Sequence, residues 1–220
     1  MSHTRNRTRP LWVAASAASL LFARLAWCVR PGEAVGFDTT VRATVHSWAS
    51  PALTSAMRFV TNLGSHYFLV PLGLLLVWRW VATGRRGQAL VFASAALSAE
   101  LFTQLFKLVF HRPRPEVYFG LAPAETYSYP SGHAFVSTVF YVLLAALLTA
   151  GKPSGRQRIA IRIAGVVLPL AIGLSRIYLS FHYPSDVLGG YACAVVWLCC
   201  TKLWSGLSVS TLVITSPEST

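Results

Sequence analysis

Three short segments, far apart along the chain, carry the residue types that phosphoryl chemistry uses. Lys107 precedes Arg114-Pro115, Pro130-Ser131-Gly132-His133 follows, and Ser175-Arg176 leads on to His182 and Asp186. Arginine offers an anion a planar fork of donors and lysine a point charge, so Lys107, Arg114 and Arg176 form a candidate cradle for a phosphate monoester or diphosphate. A helix beginning at Ser131 adds free backbone N–H groups and the positive end of its dipole. Gly132 permits close approach of the anion, and the Ser131 hydroxyl is a further donor. His182 and Asp186 stand four positions apart across Tyr183-Pro184, so the carboxylate can hold one ring nitrogen and leave the other facing the anion. That is a nucleophile with its orienting group. His133, on a different segment, is the candidate general acid for the departing oxygen, a role worth roughly 10² to 10⁴ in rate. The three cations would stabilise charge on the equatorial oxygens in the transition state.

What must position these residues is a membrane bundle. Of 220 residues, 54% are hydrophobic and only 12% charged, with a mean hydropathy of +0.53; an ordinary soluble domain carries about 25% charged residues. Six stretches approach the roughly 20 apolar residues that a span needs: Leu11–Val29, His66–Ala82, Gln88–Phe110, Phe135–Ala150, Ile159–Phe181 and Val187–Trp204. The expected fold is all-α, a six-transmembrane-helix bundle in which residues 1–220 form a single domain. Basic residues fall in alternate connections: Arg5, Arg7 and Arg9 before the first span, Arg85 and Arg86 after the second, Lys152, Arg156 and Arg158 after the fourth, and Lys202 at the end of the sixth. By the positive-inside rule these ends are cytoplasmic, which puts both termini inside. The three chemical segments then gather at the outer face of a cell (plasma) membrane, on the periplasmic or extracellular side. Ionisable groups at span ends are costly and mark function. In the first outer connection Phe37, Val41, Val45 and Trp48 recur at helical spacing, and after Pro51 so do Leu53, Met57 and Val60. That pattern predicts short amphipathic helices lying at the interface.

The formal charge of +12 does not point to nucleic acid, because the basic residues are not gathered with aromatics into one patch. Asp186 is engaged by His182, and Glu116 and Glu125 stand alone in a loop, so no carboxylate cluster suits magnesium. Chemistry without a metal or other cofactor is expected, and no protein partner is indicated. Cys28, Cys193, Cys199 and Cys200 show neither ligand nor disulfide spacing and read as small apolar fillers. The basic start followed by LWVAASAASLLFA imitates a secretory signal, but the alternation of charge works best with that segment retained. The serine- and threonine-rich tail, 205–220, is expected to fray. Glu100 reads as a structural partner of another polar group, Arg24 as a snorkelling residue, His111 and Arg112 as solvated loop residues, and His66 as a candidate substrate contact. Gly189 and Gly190 suit close helix packing, and Tyr127, Tyr129, Tyr178 and Tyr183 an interfacial aromatic belt.

In order, Lys107-x6-Arg114-Pro115, Pro130-Ser131-Gly132-His133 and Ser175-Arg176-x5-His182-x3-Asp186 resemble the three-part signature of the type 2 phosphatidic acid phosphatase family. Its soluble relatives include bacterial acid phosphatases and vanadium haloperoxidases. The signature spans Lys107 to Asp186, and the six-helix arrangement extends the similarity to nearly the whole chain. The resemblance implies that His182 becomes phosphorylated, that His133 is the general acid and that Asp186 supports His182. It also implies that Lys107, Arg114, Ser131, Gly132 and Arg176 bind the phosphoryl group. The integral membrane members resemble lipid phosphatases acting on phosphatidic acid, phosphatidylglycerophosphate or undecaprenyl diphosphate. The last is slightly favoured, since outward-facing chemistry suits recycling of a polyprenyl diphosphate carrier. The alternative from another class is an anion or lipid-phosphate transporter. A transport site, however, lies near the midplane, often between inverted repeats, whereas these charges lie at one surface and no internal repeat is present.

Overall fold

The computed structural model describes residues 2–29, 36–116, 118, 119, 121, 126–150 and 155–205, and among them every regular element is helical. In chain order these are α1 (Ser2–Cys28), α2 (Gly36–His46), α3 (Pro51–Asn62), α4 (His66–Ala82), α5 (Arg86–Phe110), α6 (Gly132–Thr149), α7 (Gly155–Tyr178) and α8 (Pro184–Ser205).

α6 is the centre of the bundle. Its sequence GHAFVSTVFYVLLAALLT is apolar all round, as a helix enclosed by others requires, and Phe135, Val139 and Leu143 are fully buried. α5, α7 and α8 surround it, while α1 packs on α8 and α4 on α5. The approach of α7 to α6 depends on Gly165, where a Cβ would lie 2.6 Å from the Ala145 Cβ. Gly190 does the same for α8, since a Cβ there would come within 2.7 Å of the Ser131 carbonyl oxygen. Small residues of this kind let backbones meet where helix association rests on van der Waals contact rather than on exclusion of water. The perimeter, by contrast, exposes Trp12, Leu20, Leu74 and Leu97, a surface suited to lipid.

Among the described residues five helices are each long and apolar enough to cross a membrane: α1 over Thr8–Cys28, α5, α6, α7 and α8; α3 and α4, bent by 42° at their break, are long and apolar enough only when taken together. The expected second span, His66–Ala82, coincides with α4, and the short helices expected in the first outer connection with α2 and α3. α4 has 17 residues; at 1.5 Å per residue that is about 26 Å of helix, short of the roughly 30 Å hydrocarbon core. α3 extends it, packing on α7. The break at Leu63-Gly64-Ser65 is held against α7, because a Cβ on Gly64 would lie 2.6 Å from the Ile172 Cγ2. α2 is a short separate helix against α7 and α8. The tail beyond Ser205, with Glu125 and Lys152, lies outside the described residues.

Two chain reversals assemble the site. α5 stops where His111 turns left-handed (φ 47°) and donates its N–H to the Lys107 carbonyl at 3.1 Å; Pro113 then prevents the helix from resuming. Beyond α7, Ser180 is also left-handed (φ 60°), and the N–H groups of Phe181 and His182 return to the Arg176 carbonyl at 3.0 and 3.3 Å. The end of α5, the start of α6 and the α7–α8 turn thus meet at one end of the bundle.

Candidate active site

His182 sits in the α7–α8 turn and is only 1% exposed. Its Nδ1 is 3.3 Å from Asp186 Oδ2, and its Nε2 is 3.1 Å from Arg114 Nη1. A guanidinium only donates, so Nε2 is the accepting nitrogen and Nδ1 carries the proton that goes to Asp186. Burial, and then the positive charges of Arg114, Arg176 and Lys107, hold this imidazole well below the ordinary histidine range. His182 is therefore a neutral base whose lone pair is on Nε2. Asp186 Oδ2 also accepts the Tyr183 N–H at 2.9 Å, and Asp186 Oδ1 accepts from Arg112 Nη1 at 2.5 Å.

The two arginines are anchored by carbonyl and hydroxyl oxygens rather than by carboxylates. Arg114 donates from Nε to the Thr126 carbonyl at 2.7 Å, from Nη2 to Thr126 Oγ1 at 2.9 Å and from Nη1 to the Phe181 carbonyl at 2.7 Å. Arg176 donates from Nη1 to Thr61 Oγ1 at 2.9 Å and lies 4.2 Å over the Phe181 ring, while its Nε has no partner among the described residues. Lys107 occupies the last turn of α5. Ser131 caps α6: its Oγ accepts the Ala134 N–H at 3.4 Å, and its own N–H bonds to the Asp186 carbonyl at 3.0 Å. Because the serine oxygen is the acceptor in the cap, its hydroxyl hydrogen is left to donate elsewhere. Gly132 is required by packing, since a Cβ there would meet Thr103 Cγ2 at 2.9 Å.

Lys107, Arg114, Gly132, His133, Arg176 and His182 line one cavity of about 470 Å³. Ser131, beside Gly132, and Asp186, bonded to His182, are fully buried next to them, so the residues of the candidate phosphoryl site gather around the same cavity. Away from the cations it continues between α4, α5 and α6 as an apolar groove past Leu69, Val77, Phe92 and Phe140. The groove is open at its edge, where Leu74 and Leu97 are 66% and 73% exposed. An anion-binding head joined to such a groove fits a phosphorylated amphiphile. On the open wall Glu100 Oε2 pairs with His66 Nε2 at 2.9 Å and Glu100 Oε1 accepts from Gln104 Nε2 at 2.5 Å.

Two residues of this site were not singled out from the sequence. Arg112, expected as a solvated loop residue, is 1% exposed and bridges Asp186 to Asp38 of α2, with its Nη2 2.8 Å from Asp38 Oδ2. It also lies 4.1 Å over the Tyr183 ring. Burial opposes its charge, but Asp186 and Asp38 outweigh that, and the guanidinium is held above its ordinary range. Asp38 is itself fully buried. A signal was available: Asp38 is one of 7 acidic residues in a chain with 19 basic ones, and it interrupts an amphipathic pattern between Phe37 and Val41. Among the described residues no group of three His, Cys, Asp or Glu could hold a metal ion; the buried carboxylates Asp38 and Asp186 both face Arg112.

Comparison with known proteins agrees with this architecture. The family model described as the PAP2 superfamily matches residues 88–209. Phosphatidylglycerophosphatase B of Bacillus subtilis (strain 168) is 27% identical over 175 residues, 79% of this chain and 85% of that protein. An undecaprenyl-diphosphatase of Sulfolobus acidocaldarius is 29% identical over 163 residues, 71% of this chain and 73% of that one. The crystal structure of a transmembrane PAP2 type phosphatidylglycerolphosphate phosphatase from Bacillus subtilis superposes with a TM-score of 0.79 at 23% identity, covering 87% of this chain and 96% of the other. That likeness establishes the shared membrane fold.

Proposed function

This chain belongs to the PAP2 superfamily, and we propose that it is a membrane lipid phosphatase that works through a phosphohistidine on His182. The observation that carries this reading is the state of His182: a neutral imidazole, proton on Nδ1 toward Asp186, with Nε2 at the wall of a cavity lined by Lys107, Arg114 and Arg176. In the reaction a phosphoryl oxygen replaces Nε2 as the partner of Arg114 Nη1 and frees the lone pair. Lys107, Arg114, Arg176 and the first turn of α6, with Ser131 and Gly132, take the phosphoryl oxygens. Nε2 then forms its bond to phosphorus as the phosphorus–oxygen bond to the lipid breaks, and His133 gives its proton to the leaving oxygen. Asp186 holds the Nδ1 proton while the ring becomes cationic. Water next attacks phosphorus, His133 takes its proton, and the nitrogen–phosphorus bond breaks to return neutral His182 and inorganic phosphate. This route needs no metal, and the pairing of both buried carboxylates with Arg112 supports that.

For the substrate we favour a polyprenyl diphosphate over phosphatidylglycerophosphate or phosphatidic acid. Three cations at one end of the cavity suit a diphosphate's charge, and the name of the Sulfolobus relative points the same way; the Bacillus relative's name favours phosphatidylglycerophosphate. We orient the site toward the outer face with both termini cytoplasmic, because Arg85, Arg86, Arg156 and Arg158 lie at the opposite ends of the spans.

The test is phosphate release by detergent-purified protein in EDTA from each of the three lipids, with His182→Ala alongside. Release by the wild type that is absent from the variant is the expected result, and the ratio of kcat/KM among the lipids ranks the substrates. No release from any lipid by folded wild type would overturn the reading and return transport as the better account. Loss in EDTA that a divalent ion restores would refute the metal-free route alone.

A further inference from the structure

We propose that Asp38 and Arg112 are positioning residues for the His182–Asp186 pair, so that the short helix α2 is part of the catalytic apparatus rather than a cover over it. The proposal rests on the phosphatase reading above. It begins with the division of labour on the Asp186 carboxylate. Oδ2 serves His182 Nδ1 at 3.3 Å and the Tyr183 N–H at 2.9 Å, while Oδ1 is taken by Arg112 Nη1 at 2.5 Å. With one oxygen held by Arg112, the carboxylate cannot rotate away from the histidine.

Arg112 is fixed in turn by α2. Its Nη2 donates to Asp38 Oδ2 at 2.8 Å, and its Nη1 also donates to Ser185 Oγ at 2.8 Å. Asp38 reaches past the arginine to the residue beside Asp186: its Oδ1 accepts the Ser185 N–H at 2.8 Å and its Oδ2 accepts the Ser185 hydroxyl at 2.7 Å. Asp38, Arg112 and Asp186 are each no more than 1% exposed. A buried network in which every polar group has a partner holds one arrangement, and removing one member leaves buried groups unmet. Charge makes the same point. Two carboxylates and one guanidinium leave this cluster one negative charge beside His182, the complement of a ring that turns cationic on phosphorylation. Neutralising Asp38 removes that excess without touching His182, Asp186 or the phosphate cradle. Asp38 lies beyond the end of α1 at Cys28 and far in sequence from Arg112 and Asp186, so among the described residues its route to the chemistry is through these contacts.

The experiment uses full-length Asp38→Asn, Arg112→Lys and Arg112→Gln in detergent, with folding checked by thermal melting. Two readouts are taken: kcat and KM separately on the best lipid substrate, and the ¹⁵N spectrum of histidine-labelled protein, with His182 assigned by its loss in a His182→Gln sample. Outer partners of metal-bound histidines typically matter about 10- to 100-fold, and an effect of the same order is expected for a histidine that must hold one tautomer. The expected result is a fall in kcat of about tenfold for Asp38→Asn and about a hundredfold for Arg112→Gln, with KM within twofold and partial recovery in Arg112→Lys. His182, a single Nδ1-protonated tautomer in the wild type, becomes a mixture in Asp38→Asn and Arg112→Gln. Should Arg112→Gln not fold, the near-isosteric Asp38→Asn decides. Folded Asp38→Asn with wild-type kcat and an unchanged His182 signal overturns the proposal, as does a loss confined to KM. If the wild type releases no phosphate, the phosphatase reading fails, and the tautomer alone then decides: mixed in the variants supports the positioning role, unchanged overturns it.

Discussion

The cavity has two unlike walls. The closed wall, made by the α7–α8 turn and the loop after α5 and backed by α2, buries His182, Asp186, Arg112 and Asp38 almost completely and gives each a partner. The open wall, made by α4 and α5, is apolar except for His66, Glu100, Thr103, Gln104 and, at its cationic end, Lys107, and its edge leucines are mostly exposed. A reacting histidine must keep one tautomer and one orientation, which close packing and matched hydrogen bonds enforce. A lipid tail needs only an apolar surface it can reach from the bilayer. In the proposed reaction, chemistry and admission are thereby concentrated at opposite ends of the cavity, with α5 reaching both through Lys107 and Leu97.

The strongest way to break that division is to attack the closed wall at its centre. His182→Ala is expected to lower kcat by at least about 10⁴, as loss of a nucleophile does, in protein that still folds; phosphate assays on matched folded samples check it. Next come the cradle arginines. Arg114→Lys and Arg176→Lys keep the charge but lose the planar fork, and each is expected to cost about 10² to 10³ in kcat. Lysine variants with wild-type rates would mean that point charge alone suffices there.

Filling the open wall gives the converse. Ala96→Trp, at a residue lining the apolar groove, is expected to lower kcat/KM about tenfold for a long-chain lipid phosphate while leaving hydrolysis of a short water-soluble phosphate ester unchanged. Equal losses on both would place the groove inside the chemical step. The closed wall also carries a pH signature. His182 binds its proton less readily folded than unfolded, because of burial and then Arg114. Its contribution to stability is therefore undiminished above about pH 6.5 and is lost as pH falls below that value, by up to about 1.4 kcal/mol per pH unit. Melting curves of wild type and His182→Gln from pH 7.5 to about 5 isolate it: the wild type should lose more stability on acidification than the variant.

What the sequence discloses follows the same division. Arg176, His182 and Asp186 fall within one helix end and one turn, and Pro130 to His133 within one helix start, so local spacing alone places their side chains. Asp38, Arg112 and Asp186 meet only through the tertiary fold, and nothing local to Arg112 distinguishes a buried bridge from a solvated loop. The setting of α3 is a related case. Leu53, Met57 and Val60 describe one apolar face, which serves equally for a helix on a membrane surface and for one packed on α7. Periodicity tells which face is covered; it does not tell by what.

The smallest effect is expected at Glu100, and it is the sharpest test of the open wall. Glu100 lines the cavity on the same helix as Lys107, so sequence proximity would make it a candidate for chemistry. Its surroundings argue otherwise. In its ion pair with His66 the two side chains are 29% and 60% exposed, and pairs this open contribute only about 0 to 1 kcal/mol. Glutamine in its place keeps the shape and can still accept from Gln104 and meet His66. Glu100→Gln is therefore expected to change kcat/KM by less than about threefold, a difference of about 0.6 kcal/mol, and to leave the melting temperature nearly unmoved. A His66→Ala, Glu100→Gln double-mutant cycle on kcat/KM measures whether the pair acts as a unit. A change above tenfold in the single variant, with stability intact, would mean that this carboxylate touches the substrate. The open wall would then select headgroups as well as admit tails, and the separation of the two walls would fail.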